Sequence, residues 1–371
     1  MIFLTGGTGY LGGYVLIDLL ARTDADVALL VRAPDRDAAI AKLWHQLQLH
    51  VDWAGFQGVL KRVRFCNGDL HAPGLGLSTD DRNLLLHEAD SILHVAASLN
   101  RKSAKACLNT NLRGTLSVVQ LARDIANASG LSRYSHVSTC AVAGTRFREV
   151  VEEDASIDWD RSDYDPYGRT KKFCEHMAHE LLADLPRTIF RPSIVMGDTR
   201  HPRTTQFDMV RATCLMADLP AIPLAPTDRV DIVPADWVSK AIATVHLKPD
   251  PAHVTYHLAS GRGSCTAEDI CVALDQAIGR RPRLLRGLEK PYDLVFRAMN
   301  RVPVRGAVQA TGAVMKVFMP YITYDTVFAN ERIVAEIGEV PTPFSVYGPD
   351  LYRWAKGAKF RFDHQPVPGW G

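Results

Sequence analysis

Eight residues near the start of the chain constrain its fold more than any others. Thr5-Gly6-Gly7-Thr8-Gly9-Tyr10-Leu11-Gly12 comes after a short apolar run, Ile2 to Thr5, and opens a helical pattern, Tyr10 to Arg22. Glycine at 6 or 7 and at 9 lets the backbone turn tightly and approach a pyrophosphate, while Gly12 lets helix and strand pack closely. The helix start adds N–H groups and positive potential. The spacing therefore predicts a dinucleotide site whose wall includes Gly6, Thr8, Gly9, Tyr10, Leu11 and Gly12.

Beyond this turn the chain repeats the strand-then-helix alternation of βαβ units. Strands are expected at Ile2 to Thr5, Val27 to Arg32, Val63 to Asn67, Ser91 to Val95, Tyr134 to Thr139 and Thr188 to Arg191. Helices are expected at Tyr10 to Arg22, Asp35 to His50, Asn109 to Ile125 and Tyr164 to Ala183. The fold class is α/β, a Rossmann-type doubly wound parallel sheet with a smaller, mainly helical C-terminal substrate cap. Residues 1–195 form the nucleotide-binding domain, completed by about 228–260, and 196–227 with 261–371 form the interleaved cap. The length of 371 residues suits that division.

Composition removes other classes. With 47% hydrophobic and 23% charged residues, the chain is neither disordered nor fibrous. Forty-three Lys and Arg against 41 Asp and Glu give a net charge of +2, which offers no global attraction to nucleic acid. The seven cysteines form no CxxC pair, and no His/Cys cluster has zinc-ligand spacing, so no metal is expected. The cysteines read as reduced thiols of a reducing compartment, hence cytoplasmic. No uncharged apolar run approaches the roughly 18 residues of a membrane span. Met1 leads straight into the first strand and leaves no room for a cleaved signal.

The second strand bears on the choice of cofactor. An NAD site usually ends this strand with an acidic residue that accepts from the ribose hydroxyls. Here it ends Leu29-Leu30-Val31-Arg32, and Arg32 offers a charged fork to a 2′-phosphate, which favours NADPH. Further along, Tyr167-Gly168-Arg169-Thr170-Lys171 places a phenol and an ammonium four residues apart, on one face of a helix. The ammonium is expected to hold the nicotinamide ribose and to lower the phenol pKa, making Tyr167 a proton donor near neutral pH. Thr139, at the end of the preceding strand, is placed to hydrogen-bond a carbonyl oxygen beside it. Ser138 points to the opposite face in that register. Cys140 reads as a buried small residue with no histidine to activate it, and His94 as a packing residue.

These residues, with Gly68-Asp69-Leu70, His94-Val95-Ala96-Ala97, Asn111 in Asn-Leu-Arg-Gly-Thr, Val137-Ser138-Thr139 and Arg191-Pro192-Ser193, resemble the extended short-chain dehydrogenase/reductase superfamily over about the first 200 residues. The resemblance implies that Asp69 and Leu70 flank the adenine, that Ala96 and Ala97 line the cofactor path, and that Asn111 supports the Lys171 side. It also implies that Pro192 and Ser193 lie near the nicotinamide amide. Leu30-Val31-Arg32-Ala33, Leu75-Gly76-Leu77-Ser78 and Val230-Asp231-Ile232-Val233-Pro234-Ala235-Asp236-Trp237-Val238 are most similar to its thioester reductase branch, with fatty acyl-CoA reductases and the reductase domains of carboxylic acid reductases and nonribosomal peptide synthetases. That branch implies NADPH-dependent reduction of an acyl thioester, carried by coenzyme A or a carrier protein, to an aldehyde. A second hydride would give the alcohol.

Other readings stay open on the sequence. The same Thr-Tyr-Lys set serves a 3β-hydroxysteroid dehydrogenase type of ketone/alcohol oxidoreductase, and the fold also serves nucleotide-sugar epimerases and dehydratases. A third reading is a non-catalytic NADPH-binding module. The stretch 279–305 carries eight Arg or Lys against Glu289 and Asp293. It reads as a grip for coenzyme A phosphates or an acidic carrier, as a peripheral membrane contact, or as a solvated basic helix. By analogy, the helices at Leu116 to Ile125 and Tyr167 to Ala183 would form a homodimer seam.

Overall fold

Seven strands, each four to six residues long, lie parallel in one sheet in the computed structural model, which describes residues 1–101, 103–154, 156–285, 322 and 325–370. They are β1 (Ile2–Thr5), β2 (Val27–Val31), β3 (Val63–Asn67), β4 (Ser91–His94), β5 (Arg133–Val137), β6 (Arg187–Pro192) and β7 (Thr255–Leu258). Their spatial order is β7-β6-β5-β4-β1-β2-β3, with Leu4 opposite Leu29 on one side and Leu93 on the other. Winding outward through β2 and β3 and then back past β1 to β4 makes a switch point, and the crevice there opens at the carboxyl ends of the strands.

Alternation along the strands feeds two separate cores. Ile2 and Leu4 of β1 point to one face with Val27 and Leu29, against Val15, Leu16 and Leu19 of α1 (Tyr10–Arg22), Leu43 of α2 (Arg36–Leu47) and Val238, Ile242 and Val245 of a helix at Ala235–Leu247. Phe3, Ala28 and Leu30 point to the other face, against Leu85 of a helix at Thr79–Glu88, Val118, Ala122 and Ile125 of α3 (Gly114–Ala128), and Ala178 of α4 (Pro166–Leu181). A third apolar cluster joins Val210 and Cys214 of Asp208–Ala217, Cys271 and Leu274 of Ala267–Ile278, and Phe344, Tyr347 and Leu351 of Phe344–Gly357.

Between β2 and β4 the structure adds two helices that the sequence pattern does not reveal. Trp53–Leu60 begins at Asp52, whose carboxylate accepts from Gly55 N, and Thr79–Glu88 begins at Ser78, whose hydroxyl accepts from Asp81 N. Trp53–Leu60 is only eight residues long, with Trp53, Phe56, Val59 and Leu60 on the side that meets the core, and Thr79–Glu88 buries Leu85 alone and shows no apolar stripe. β5 ends at Val137, earlier than expected: Ser138 N still donates to Phe190 O of β6, but Thr139 turns away to cap the turn Cys140–Ala143. Regular helix α3 starts only at Gly114, because Leu108–Arg113 winds more widely as a π-type turn that buries Asn111. Of the basic stretch, residues 286–305 lie outside the described residues. In the part described, Arg280 donates to the carbonyls of Asp218 and Leu219, and Arg281 pairs with Glu268.

Candidate functional site

The glycine-rich turn is sterically compelled. Gly6 has φ +83°, and a Cβ there would lie 2.6 Å from Ala96 N; a Cβ on Gly12 would lie 2.0 Å from the Gly6 carbonyl. Gly9 begins α1 with no side-chain cap, and the first turn carries no acidic residue. The helices starting at Asp35, Asp52, Ser78, Asp165 and Thr266 each cap a first-turn amide with a side chain instead. An uncapped helix start leaves donors and positive potential for an anion. It opens on a cavity of about 620 Å³ that Gly6, Thr8, Gly9, Tyr10, Leu11 and Gly12 all line. The absent Cβ atoms and the free helix start fit a dinucleotide pyrophosphate, and Ala96 and Ala97 form part of the same wall.

At one end of the cavity lie Leu30, Arg32, Lys42, Asp69, Leu70 and His71. Arg32 is two-thirds exposed and its Nη1 lies 3.5 Å from Asp69 Oδ2. Lys42 of α2 donates to the Arg32 carbonyl at 3.3 Å, which brings a second cation to this end. Asp69 accepts from His71 N at 2.9 Å. Burial opposes its ionisation, but that backbone bond with His71 and Arg32 holds the carboxyl below its ordinary range. Lys42 is not foretold by the sequence, because a helical lysine after β2 carries no spacing signal.

Toward the other end, Thr139, Tyr167 and Lys171 line the same cavity. Asp165 fixes the start of their helix by accepting from Gly168 N at 2.8 Å, and Lys171 Nζ, completely buried, donates to Val137 O at 2.7 Å. Thr139 accepts from Ala141 N at 3.2 Å and donates to Pro192 O at 3.5 Å, and its hydroxyl favours the anion of the Tyr167 phenol beside it. Asn111 does not reach the cavity. Its amide donates to Ser98 O and Thr170 Oγ1, and its carbonyl accepts from Ser98 N at 2.7 Å, so it ties the loop after β4 to α4 behind Lys171. Ser138 also lines the cavity, but its hydroxyl donates to Glu175 Oε2 at 2.7 Å; Glu175 also binds Arg191 in a buried pair.

One electrostatic expectation is corrected. The Tyr167 phenol is not lowered: burial pushes it up to about 12, with Arg101 and the Thr139 hydroxyl pulling against that rise. The Lys171 ammonium is turned to the Val137 carbonyl, and burial lowers its own pKa. Arg101, from the loop after β4, instead lies with its guanidinium carbon 4.9 Å from the Tyr167 ring centre.

Pro192, Ser193, Ile194 and Asp231 form the remaining wall nearby. Ser193 donates to Asp231 Oδ1 at 2.7 Å, and the same carboxylate accepts from Ser260 N and Ser264 Oγ. Burial raises Asp231 from 3.8 to about 6. Cys140 donates to Arg191 O at 3.0 Å, and burial pushes its thiol well above the ordinary value, so it holds no thiolate at neutral pH. His94 is buried, bonded to Thr5 Oγ1 and Thr115 Oγ1, and burial pushes it down to about 3. Met209 and Phe328 add apolar surface.

Known proteins match the chain over most of its length. It is 30% identical over 269 residues, 69% of its length, to a nonribosomal peptide synthetase (asaC) of Aspergillus flavus. It is 28% identical over 243 residues to the fatty acyl-CoA reductase wat of Drosophila melanogaster. It spans only 26% and 46% of those two proteins. Among solved structures, the terminal R domain of the myxalamid PKS-NRPS biosynthetic pathway superposes with a TM-score of 0.82 at 22% identity, covering 98% of this chain and 92% of that one. No helix among the described residues is long and apolar enough to cross a membrane. The profile of the Male sterility protein family, an NAD-binding family, matches residues 4–242, well over half of the chain, and the chain belongs to that family.

Proposed function

We propose that the chain is an NADPH-dependent oxidoreductase that reduces an acyl thioester to an aldehyde. The observation that carries this reading is that Thr139, Tyr167 and Lys171 open on the same cavity as the uncapped start of α1. In the reading, the α1 turn takes the pyrophosphate and Asp69 with Leu70 the adenine side, while Pro192 and Ser193 border the nicotinamide end. Lys171, in the wall of the same cavity, would hold the ribose. When bound, the nicotinamide nucleotide supplies the hydride. Thr139 and Tyr167 donate to the thioester carbonyl oxygen as charge develops on it, and Tyr167 passes its proton to that oxygen. Collapse of the tetrahedral adduct then releases thiol and aldehyde.

The acyl group arrives already joined to a thiol, either coenzyme A or the pantetheine arm of a carrier protein. Relatives include both a nonribosomal peptide synthetase and a fatty acyl-CoA reductase, which supports the thioester class without choosing between the two carriers. The test is a panel: acyl-CoAs of several lengths, a carrier-bound acyl thioester, aldehydes and ketones, each with NADPH and with NADH. Thiol release coupled to NADPH oxidation supports the proposal. Ketone turnover without thiol release overturns it and moves the enzyme to the ketone/alcohol class.

Arg32 and Lys42 support the preference for NADPH, since two cations at the end of the cavity suit a 2′-phosphate. Arg32→Ala is expected to raise the Kd for NADPH about tenfold, the scale of one charge-assisted contact, and to leave the Kd for NADH unchanged. Fluorescence titration of both nucleotides measures the difference. Equal weakening of both would assign Arg32 to the fold and not to the phosphate.

A further inference from the structure

The Tyr167 ring has a charged neighbour that the Tyr-Lys spacing gives no hint of. Arg101 lays its guanidinium carbon 4.9 Å from the ring centre. Asp165, two residues before Tyr167, lies 3.4 Å from Arg101 Nε, and the two side chains are only 15% and 12% exposed. A cation over an aromatic face is drawn to the ring quadrupole. The attraction strengthens when the ring becomes a phenolate, because a full charge then faces a full charge in a site with little water.

Among the described residues, the other groups around the ring do not supply this. Thr139 is neutral, and burial raises the Cys107 thiol, so it carries no charge near neutral pH. Lys171, one turn along the helix, directs its ammonium to the Val137 carbonyl. Arg101 and Asp165 therefore act on the phenol with opposite signs: the guanidinium favours the anion and the carboxylate opposes it.

We propose that Arg101 is a positioning residue for Tyr167: seated on the ring face and tethered by Asp165, it holds the phenol in the cavity wall and stabilises the anion left when the proton is given up. This rests on Tyr167 being the proton donor, as proposed above. It assigns to the loop after β4 a share of the electrostatic work that the Tyr-Lys pair alone would otherwise carry.

The experiment compares the single-turnover rate of thioester reduction and the KM at pH 7, at saturating NADPH, in the wild type, Arg101→Met, Arg101→Gln and Arg101→Lys, with Tyr167→Phe as control. Arg101→Met is expected to lower the single-turnover rate about tenfold, with KM and the NADPH Kd unchanged. Arg101→Lys, which keeps the cation, restores part of the rate, and Arg101→Gln, which keeps a polar end without the charge, does not. If Tyr167→Phe is inactive while Arg101→Met and Arg101→Gln keep the wild-type rate, the Arg101 inference fails and the donor assignment stands. An active Tyr167→Phe overturns the donor assignment itself. Should Arg101→Met not fold, the difference between Arg101→Lys and Arg101→Gln still decides the matter.

Discussion

Tyr167→Phe is expected to lose thioester reduction by about 10²–10⁴-fold, the usual worth of a positioned proton donor, while NADPH binds with unchanged affinity. The substitution removes one oxygen from a ring that is 7% exposed and packed beneath Arg101. The apolar contacts, the cap at Asp165 and the Lys171 bond to Val137 O all survive it. Binding and chemistry should therefore separate cleanly. Thiol release under single-turnover conditions measures the chemical step, and nucleotide fluorescence measures binding. A mutant within a few-fold of wild type would mean that Thr139 or a water provides the proton. A mutant that also fails to bind NADPH would mean that the phenol holds the cofactor site together. Thr139→Val is the natural companion, since it preserves shape and removes the second hydroxyl.

Glu175→Ala carries the largest expected cost to stability, about 3–5 kcal/mol, the range for breaking a buried ion pair from one side. Glu175 is completely buried on α4, one turn beyond Lys171, and accepts from Ser138 Oγ at 2.7 Å and from Arg191 Nε at 2.9 Å. Without it Arg191, 3% exposed, keeps among the described residues its bonds to the Asp154 carbonyl and His257. Denaturant unfolding of Glu175→Ala against the wild type gives the number. Replacing both partners with apolar residues of similar volume is expected to recover much of the loss, because a buried charge without a partner costs more than the absence of both charges. The single mutant should also reduce activity, since the Ser138-Glu175-Arg191 link pins β5 and β6 to α4 beside the residues that line the cavity. If unfolding is unaffected, the pair is bridged by solvent and is not the internal brace described.

The two effects differ in how far the sequence foretells them. Tyr167 and Lys171 sit four residues apart, so helix geometry alone puts them on one face. The Glu175–Arg191 pair joins a helix to a strand, and nothing in the spacing of those residues says that their charges meet.

That contrast extends to the whole molecule. The sequence by itself determined what depends on neighbours along the chain: the glycine turn, and six of the seven strands of the sheet to within a residue or two at each end, β5 among them, which it ran on to Thr139, two residues too far. These come from backbone sterics and from the apolar period, which act over a few residues. The seventh strand, Thr255–Leu258, and the helices at Trp53 and Thr79 were not legible, because such short segments acquire their structure from what they dock against. Only the tertiary structure decided that Lys42 joins Arg32, that Arg101 lies over Tyr167, and that Asp231 holds Ser193 in the cavity wall. It also decided the sign of the phenol's shift, since burial is a property of everything packed around a group. Each of these is a meeting of segments distant in sequence, made where the crossovers return the chain to the carboxyl edge of the sheet, and no spacing along the chain encodes such a distance.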